Sequence, residues 1–139
     1  MNTRIVLSLS SVAILMGAAT SFGLMQSLEW FFWLVLAIFS AYLIAKRAPR
    51  RPVGNGFLVG FLCGVLSSAT ESLFFDFYIT NNPASAERLA RMAQEMDPRV
   101  YILLSGATIG LAAGIVFGVL ALLATRLETG RIRKAKAED

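Results

Sequence analysis

The stretch GATIGLAAGIVFG, from Gly106 to Gly118, decides the fold of this chain because it places a glycine at every fourth position of an apolar segment. A second stretch, GFLVGFLCG from Gly56 to Gly64, has the same spacing. Residues four apart lie on one slowly drifting face of a helix, and glycine there lets a second backbone approach closely. Lipid tails are as apolar as leucine, so transmembrane helices associate largely through such close contacts. The predicted helix-packing residues are Gly56, Gly60, Gly64, Gly106, Gly110, Gly114 and Gly118.

The composition also indicates a membrane protein. Of the 139 residues, 56% are hydrophobic and only 16% are charged, whereas a soluble domain carries about 25% charged residues. Spanning the hydrocarbon core takes about 20 residues, and four apolar segments come close to that length: 5–24, 30–45, 56–78 and 100–125. We therefore expect an all-α, integral membrane four-helix bundle, formed by a single domain over residues 1–127. Residues 128–139 are expected to form a charged cytoplasmic tail, frayed or disordered from Arg131 to Asp139.

The first apolar segment has two interpretations. Arg4 precedes an apolar run, and the small residues Gly17, Ala18 and Ala19 resemble a signal-peptide cleavage site. The run nevertheless continues through Phe22 and Leu24, beyond the usual hydrophobic region of about 7 to 15 residues. We predict a retained first helix, and the alternative is a cleaved signal peptide that leaves three spans.

The basic residues predict the orientation. In a four-span topology most of them fall on the side of both termini, and only Arg88, Arg91 and Arg99 fall on the other. The positive-inside rule then places both termini in the cytoplasm. The sequence pI near 9.7 is assigned to contact with anionic lipid headgroups rather than nucleic acid, because the charge adjoins the spans. The residues predicted to contact headgroups are Lys46, Arg47, Arg50, Arg51, Arg131, Arg133 and Lys134.

The connections between the spans differ in character. All four prolines lie outside the apolar segments, which predicts four continuous helices. Between the third and fourth spans, a short amphipathic helix is expected from a cap at Ser85 to about Met96. It would lie on the outer membrane surface or cover the helices.

Glu71 is the principal candidate for chemistry. It falls in the third apolar segment, eleven residues after Gly60 and seven after Gly64. Both separations are close to whole numbers of helical turns, so Glu71 lies on nearly the same helix face as these glycines. An ionisable residue within a membrane-spanning segment indicates, as a first hypothesis, a role in moving protons or ions. The alternative is a hydrogen-bonded packing residue, with Ser67, Ser68, Ser72 and Thr108 as candidate partners, or a partner of an arginine on the outer helix. Asp76 is a weaker candidate, expected to be hydrated near the outer boundary.

Enzymatic chemistry has little support in the sequence. The chain has no histidine and one cysteine, Cys63, which is expected to be a small packing residue. Phosphate-binding loops and nucleophile elbows are also missing from the sequence. We therefore predict no catalytic residues, no metal site and no cofactor.

The order of features resembles an uncharacterised family of bacterial four-helix membrane proteins, catalogued as a domain of unknown function and most familiar from Bacteroidota. The likeness is strongest over residues 50–127. Its motifs are Gly56-Phe57, Gly60-Phe61, Phe77-Tyr78-Ile79, Pro83, Met92, Glu95 and Met96. The resemblance implies a four-span protein of the inner membrane without an established activity.

Two functional hypotheses follow from these observations. The first is a non-enzymatic scaffold or accessory subunit of a membrane assembly, packed through the glycine stripes against other membrane subunits or a second copy of itself. The second is a small oligomeric channel or proton-coupled carrier that uses Glu71. A third, weaker hypothesis is a lipid-interacting or envelope-stress protein that uses its basic cytoplasmic face.

Overall fold

The protein is all-helical in the computed structural model, which describes residues 2–25, 28–92 and 96–138, without the side chains of 132 and 135–138. No strand is present in these ranges. The helices are α1 (Thr3–Ser10), α2 (Val12–Ser21), α3 (Glu29–Arg47), α4 (Pro52–Leu73), α5 (Phe75–Asn81), α6 (Pro83–Met92) and α7 (Pro98–Glu138).

Four helical segments are long and apolar enough to cross a membrane. They are Thr3–Ser21, which joins α1 and α2, then Glu29–Arg47, Pro52–Leu73 and Pro98–Arg131. Large apolar side chains remain exposed along them, including Leu15, Leu34 and Ile115. Exposure of this extent is unfavourable in water and is typical of a surface that contacts lipid tails.

Two of the apolar segments predicted from the sequence, 5–24 and 56–78, contain a break that was not expected. Ser11 separates α1 from α2, and its Oγ donates to the Ser8 carbonyl at 2.9 Å, a side-chain bond of the kind that bends helices. Phe74 separates α4 from α5, with φ −95° and ψ 33°. Neither break involves proline, which is why the positions of the prolines predicted continuous helices.

The last two helices also differ from expectation. Helix α6 begins at Pro83, and the Asn82 carbonyl accepts hydrogen bonds from the backbone N–H groups of Ser85 and Ala86. Its predicted extension to Met96 crosses 93–95, which lie outside the described residues, as does Glu95 of the family resemblance. Helix α7 continues through Glu138, so the tail expected to be frayed is helical up to that residue. At 1.5 Å per residue, α7 is about 60 Å long.

Helix α4 lies at the centre of the packed helices. It contacts α1, α2, α3 and α7, and its contact with α7 is the most extensive in the described structure. Val59 and Cys63 of α4 are almost fully buried against Ala13, Ile44 and Ala121. The sides of α4 are therefore occupied by other helices of the same chain.

Hydrogen bonds tie several helices together at one end, which we call the basic end because it carries Arg4, Arg47, Arg51 and Arg126. The buried Asn55 side chain accepts from the Asn2 backbone N–H at 3.1 Å and donates to the Ala48 carbonyl at 3.4 Å. These bonds join the start of α1, the end of α3 and the first turns of α4. The opposite end, where α5 and α6 lie, is the α6 end.

Candidate functional site

The predicted helix-packing glycines of α4 lie against those of α7 within one chain. A Cβ added at Gly60 would lie 2.6 Å from the carbonyl carbon and oxygen of Ala113, and one at Gly64 would lie 2.5 Å from Gly110 Cα. Both distances are too short for real Cβ contacts. We call this set of backbone contacts the glycine interface.

The other predicted glycines extend the glycine interface in both directions. Added Cβ atoms would meet the Phe117 carbonyl oxygen at 2.5 Å from Gly56, and the Phe57 carbonyl oxygen at 2.8 Å from Gly114. Toward the basic end, Gly118 lies against Val53 of α4. Toward the α6 end, a Cβ at Gly106 would overlap the side chain of Ser68.

A further close-packing glycine was missed by the sequence analysis. Gly17 of α2 lies against α4, where an added Cβ would be 2.6 Å from the Ser67 carbonyl oxygen. In the sequence it stood out only as part of a potential cleavage site, since it belongs to no four-residue ladder. Gly54 and Gly130 are different, because an added Cβ at either would have nothing within 4 Å.

A cleft of about 260 Å³ lies at the α6 end, lined by residues of every helix from α2 to α7. Its wall combines charged, aromatic and hydroxyl-bearing side chains. The charged residues on it are Glu29, Glu71 and Arg88, and the aromatic residues are Trp33, Tyr78 and Tyr101. The cleft therefore brings together residues that are distant in the sequence, and it is the candidate functional site.

Glu71 lies on the wall of this cleft and is partly buried. Of its four predicted partners, Ser67 contacts it, donating from Oγ to Glu71 Oε1 at 3.0 Å. Ser68 and Thr108 donate to carbonyl groups of their own helices, and Ser72 donates to the Arg99 carbonyl. Ser67 lies one turn before Glu71, so this bond orients the carboxyl from within α4.

Two further charged residues line the cleft. Glu29 was not predicted to lie there, and Arg88 was covered only by the alternative that pairs Glu71 with an arginine of the outer helix. Glu29, at the start of α3, accepts a hydrogen bond from Trp33 Nε1 at 3.3 Å, so it lies on the cleft wall one turn before that indole. Arg88 enters the wall from α6. The i,i+4 spacing of Glu29 and Trp33 was a usable signal, whereas only the tertiary packing brings Arg88 near Glu71.

Asp76 is separate from the cleft. It is exposed on the first turn of α5 and is not among the residues that line the cleft. Its backbone carbonyl accepts a hydrogen bond from Thr80 Oγ1 at 2.7 Å. The structure therefore does not bring the two predicted ion-site residues together.

Two asparagines fix α5 against the end of α2, beside the cleft. Asn81 Nδ2 donates to the Ser21 carbonyl at 3.2 Å, and Asn82 Nδ2 donates to the Thr20 carbonyl at 3.0 Å. Carbonyls at a helix C-terminus lack partners within the helix, and these side chains supply them.

The predicted headgroup residues of α3 and α7 are exposed at the basic end or beyond it. Lys46 Nζ lies 4.7 Å from the centroid of the Tyr42 ring. Arg47 and Arg4 line a second cleft of about 230 Å³ between α1 and α3. The remaining members of the set are exposed: Arg50, Arg51, Arg131, Arg133 and Lys134.

No group of three or more metal-ligating side chains occurs among the residues described. No protein-family model, curated protein or solved structure matches the chain. The resemblance to a family of four-helix membrane proteins therefore stays a prediction, and the proposed function depends on the residues themselves.

Proposed function

We propose that the protein is a non-enzymatic four-helix bundle of the bacterial inner membrane that moves protons across the membrane through Glu71, as a channel or a carrier. The observation that carries this proposal is the position of Glu71 on a cleft that also contains Glu29 and Arg88. An ionisable side chain in a membrane-spanning helix is costly unless it faces a polar cavity or another helix.

The proposed orientation has both termini in the cytoplasm. It is supported by the separation of charge along the helices, since Arg4, Arg47, Arg51 and Arg126 belong to the basic end and Arg88 to the α6 end. Cytoplasmic loops carry the excess of basic residues in membrane proteins. In this orientation the Glu71 cleft opens toward the extracytoplasmic side.

The glycine interface bears on the choice between the two hypotheses. The scaffold hypothesis used the glycine stripes as a surface for other subunits. In the structure the glycines of α4 and α7 contact each other, so they are not available for another subunit. This packing does not account for the charged side chains from α3, α4 and α6 that line one cleft, which favours an activity at the cleft.

The test is proton flux into liposomes that contain the purified protein and a pH-sensitive dye, with valinomycin and K⁺ to compensate charge. We expect wild-type protein to conduct and Glu71→Gln to fall to the level of protein-free liposomes, because the amide cannot take up and release a proton. Asp76→Asn is the matched control, since Asp76 is exposed and does not line the cleft, and it should conduct normally. Equal flux from wild type and Glu71→Gln, or none from either, would contradict the proposal.

The accessory-subunit hypothesis is the second candidate, and α7 is the observation that favours it. This helix contacts Val53 near the start of α4 at Gly118 and then continues to Glu138, with exposed Arg131, Arg133 and Lys134. A helix that extends past the packed core offers a surface for another subunit or for anionic headgroups.

Native mass spectrometry of the protein, extracted gently from its own membrane, tests this candidate. An accessory subunit should leave the membrane with the same foreign subunit in every preparation, and a chain that ends at Gly130 should lose that partner. Recovery of the full-length chain alone, as monomer or homo-oligomer, would count against an accessory role.

A further inference from the structure

We propose that the cleft at the α6 end binds a small alkylammonium cation, with the ammonium group beside Glu71 and Glu29 and the alkyl part against the aromatic wall. This inference rests on the proposed function to the extent that both place the activity at Glu71. It goes further because it names the chemical class of the ligand.

The charges of the cleft match a monovalent cation. Its wall contains two carboxyl groups, from Glu29 and Glu71, and one guanidinium, from Arg88. With both carboxyl groups ionised, the cleft carries one excess negative charge. A bound monocation neutralises it, and low-dielectric walls make that interaction stronger than it would be in water.

The aromatic residues favour an organic cation over a metal ion. Trp33, Tyr78 and Tyr101 line the same cleft, and the faces of such rings attract ammonium groups through their quadrupoles. Because Trp33 Nε1 donates to Glu29 Oε1, the indole is held beside one of the carboxylates. Hard metal ions instead require several oxygen ligands.

An unpartnered hydroxyl on the cleft wall independently indicates a polar ligand, because a hydroxyl can accept a hydrogen bond from an N–H group or donate one. Thr20 is 94% buried, as its relative exposure is 6%, and its Oγ1 has no hydrogen-bond partner among the residues described. A buried hydroxyl without a partner is unfavourable. Thr20 borders the cleft, where an ammonium N–H can supply the missing hydrogen bond.

The volume limits the size of the ligand. At about 260 Å³, the cleft is smaller than the range of about 300–1,000 Å³ typical of drug-sized ligands. It suits an amine with a short alkyl chain.

The two tryptophans allow a direct test of binding. The chain has two; Trp33 lines the cleft, while Trp30 is 67% exposed and does not. In a Trp30→Phe background, tryptophan fluorescence therefore comes from Trp33 in the cleft alone. Titration with n-butylammonium chloride in detergent should give a saturable change, and neither 1-butanol nor sodium chloride at the same concentrations should reproduce it.

Variants in this background assign the binding to the charges. Glu71→Gln should weaken butylammonium binding by about ten-fold or more, since it removes one of two compensating charges. Arg88→Gln should strengthen binding by several-fold, because it removes a like charge, and misfolding does not produce a gain of affinity. Asp76→Asn should leave the affinity unchanged. An identical response to 1-butanol, or unchanged affinity in both Glu71→Gln and Arg88→Gln, would overturn the proposal.

Binding and flux separate this inference from the proposed function. Saturable, charge-dependent butylammonium binding in a protein that conducts no protons would support the ligand assignment and contradict the channel or carrier. Proton flux that depends on Glu71, in a protein that does not bind butylammonium, would support the proposed function and contradict the ligand assignment.

Discussion

Gly60→Leu is expected to prevent α4 and α7 from packing, with a loss of stability above about 3 kcal/mol. Even the Cβ of this side chain would lie 2.6 Å from three backbone atoms of Ala113 and Gly114. Backbone atoms cannot move aside as the end of a flexible side chain can, and overpacking costs about 1–3 kcal/mol or more.

The measurement is equilibrium unfolding in mixed micelles of sodium dodecyl sulfate and a mild detergent, followed by circular dichroism. Gly54→Leu is the matched control, because Gly54 lies on the same helix and an added Cβ there has nothing within 4 Å. Replacing glycine within a helix gains up to about 1 kcal/mol of intrinsic helix propensity, so the control should unfold at an equal or higher dodecyl sulfate fraction. If Gly60→Leu and Gly54→Leu unfold alike, the glycine interface does not hold the helices together.

The smaller change Gly60→Ala distinguishes steric contact from helix propensity. Propensity alone predicts that alanine stabilises the helix, whereas the close contact with Ala113 predicts the opposite sign. We expect Gly60→Ala to destabilise the protein and Gly54→Ala to leave it unchanged or more stable. Helix propensity cannot explain that difference, whereas close backbone contact at Gly60 can.

The helical class and the four long apolar segments could be predicted because they depend on local properties. Hydrophobicity over about 20 residues and the spacing of glycines are visible in a single stretch of sequence. Whether the ladders meet within one chain was not predictable, because the same small faces can pack between copies. The contact of Gly64 with Gly110 depends on how two distant helices are placed.

The cleft could be predicted only in part, because some of its residues are conspicuous in the sequence and others are placed by tertiary packing. Glu71 could be found because a carboxyl group in an apolar segment is conspicuous. Arg88 reaches the same cleft from α6, and the placement of α6 depends on the break at Phe74 and on hydrogen bonds such as that from Asn82 to Thr20. These are tertiary features that neither hydrophobic periodicity nor proline positions encode.

Asn55→Leu is expected to destabilise the basic end by about 2 kcal/mol, because the side chain makes two hydrogen bonds that are each worth about 1 kcal/mol. Asn55 is 1% exposed, and it bonds the Asn2 backbone N–H and the Ala48 carbonyl. Leucine has a similar size and removes both bonds, so loss of volume does not explain the effect. Unfolding in the same mixed micelles measures it, with Leu73→Ala as the control, since Leu73 lies on the same helix and is 77% exposed. Hydrogen exchange adds a local readout: the amides of α1 should exchange faster in Asn55→Leu, while those at the α6 end should not change. Wild-type stability and exchange in Asn55→Leu would mean that the bonds of Asn55 do not tie the start of α1 to α3 and α4.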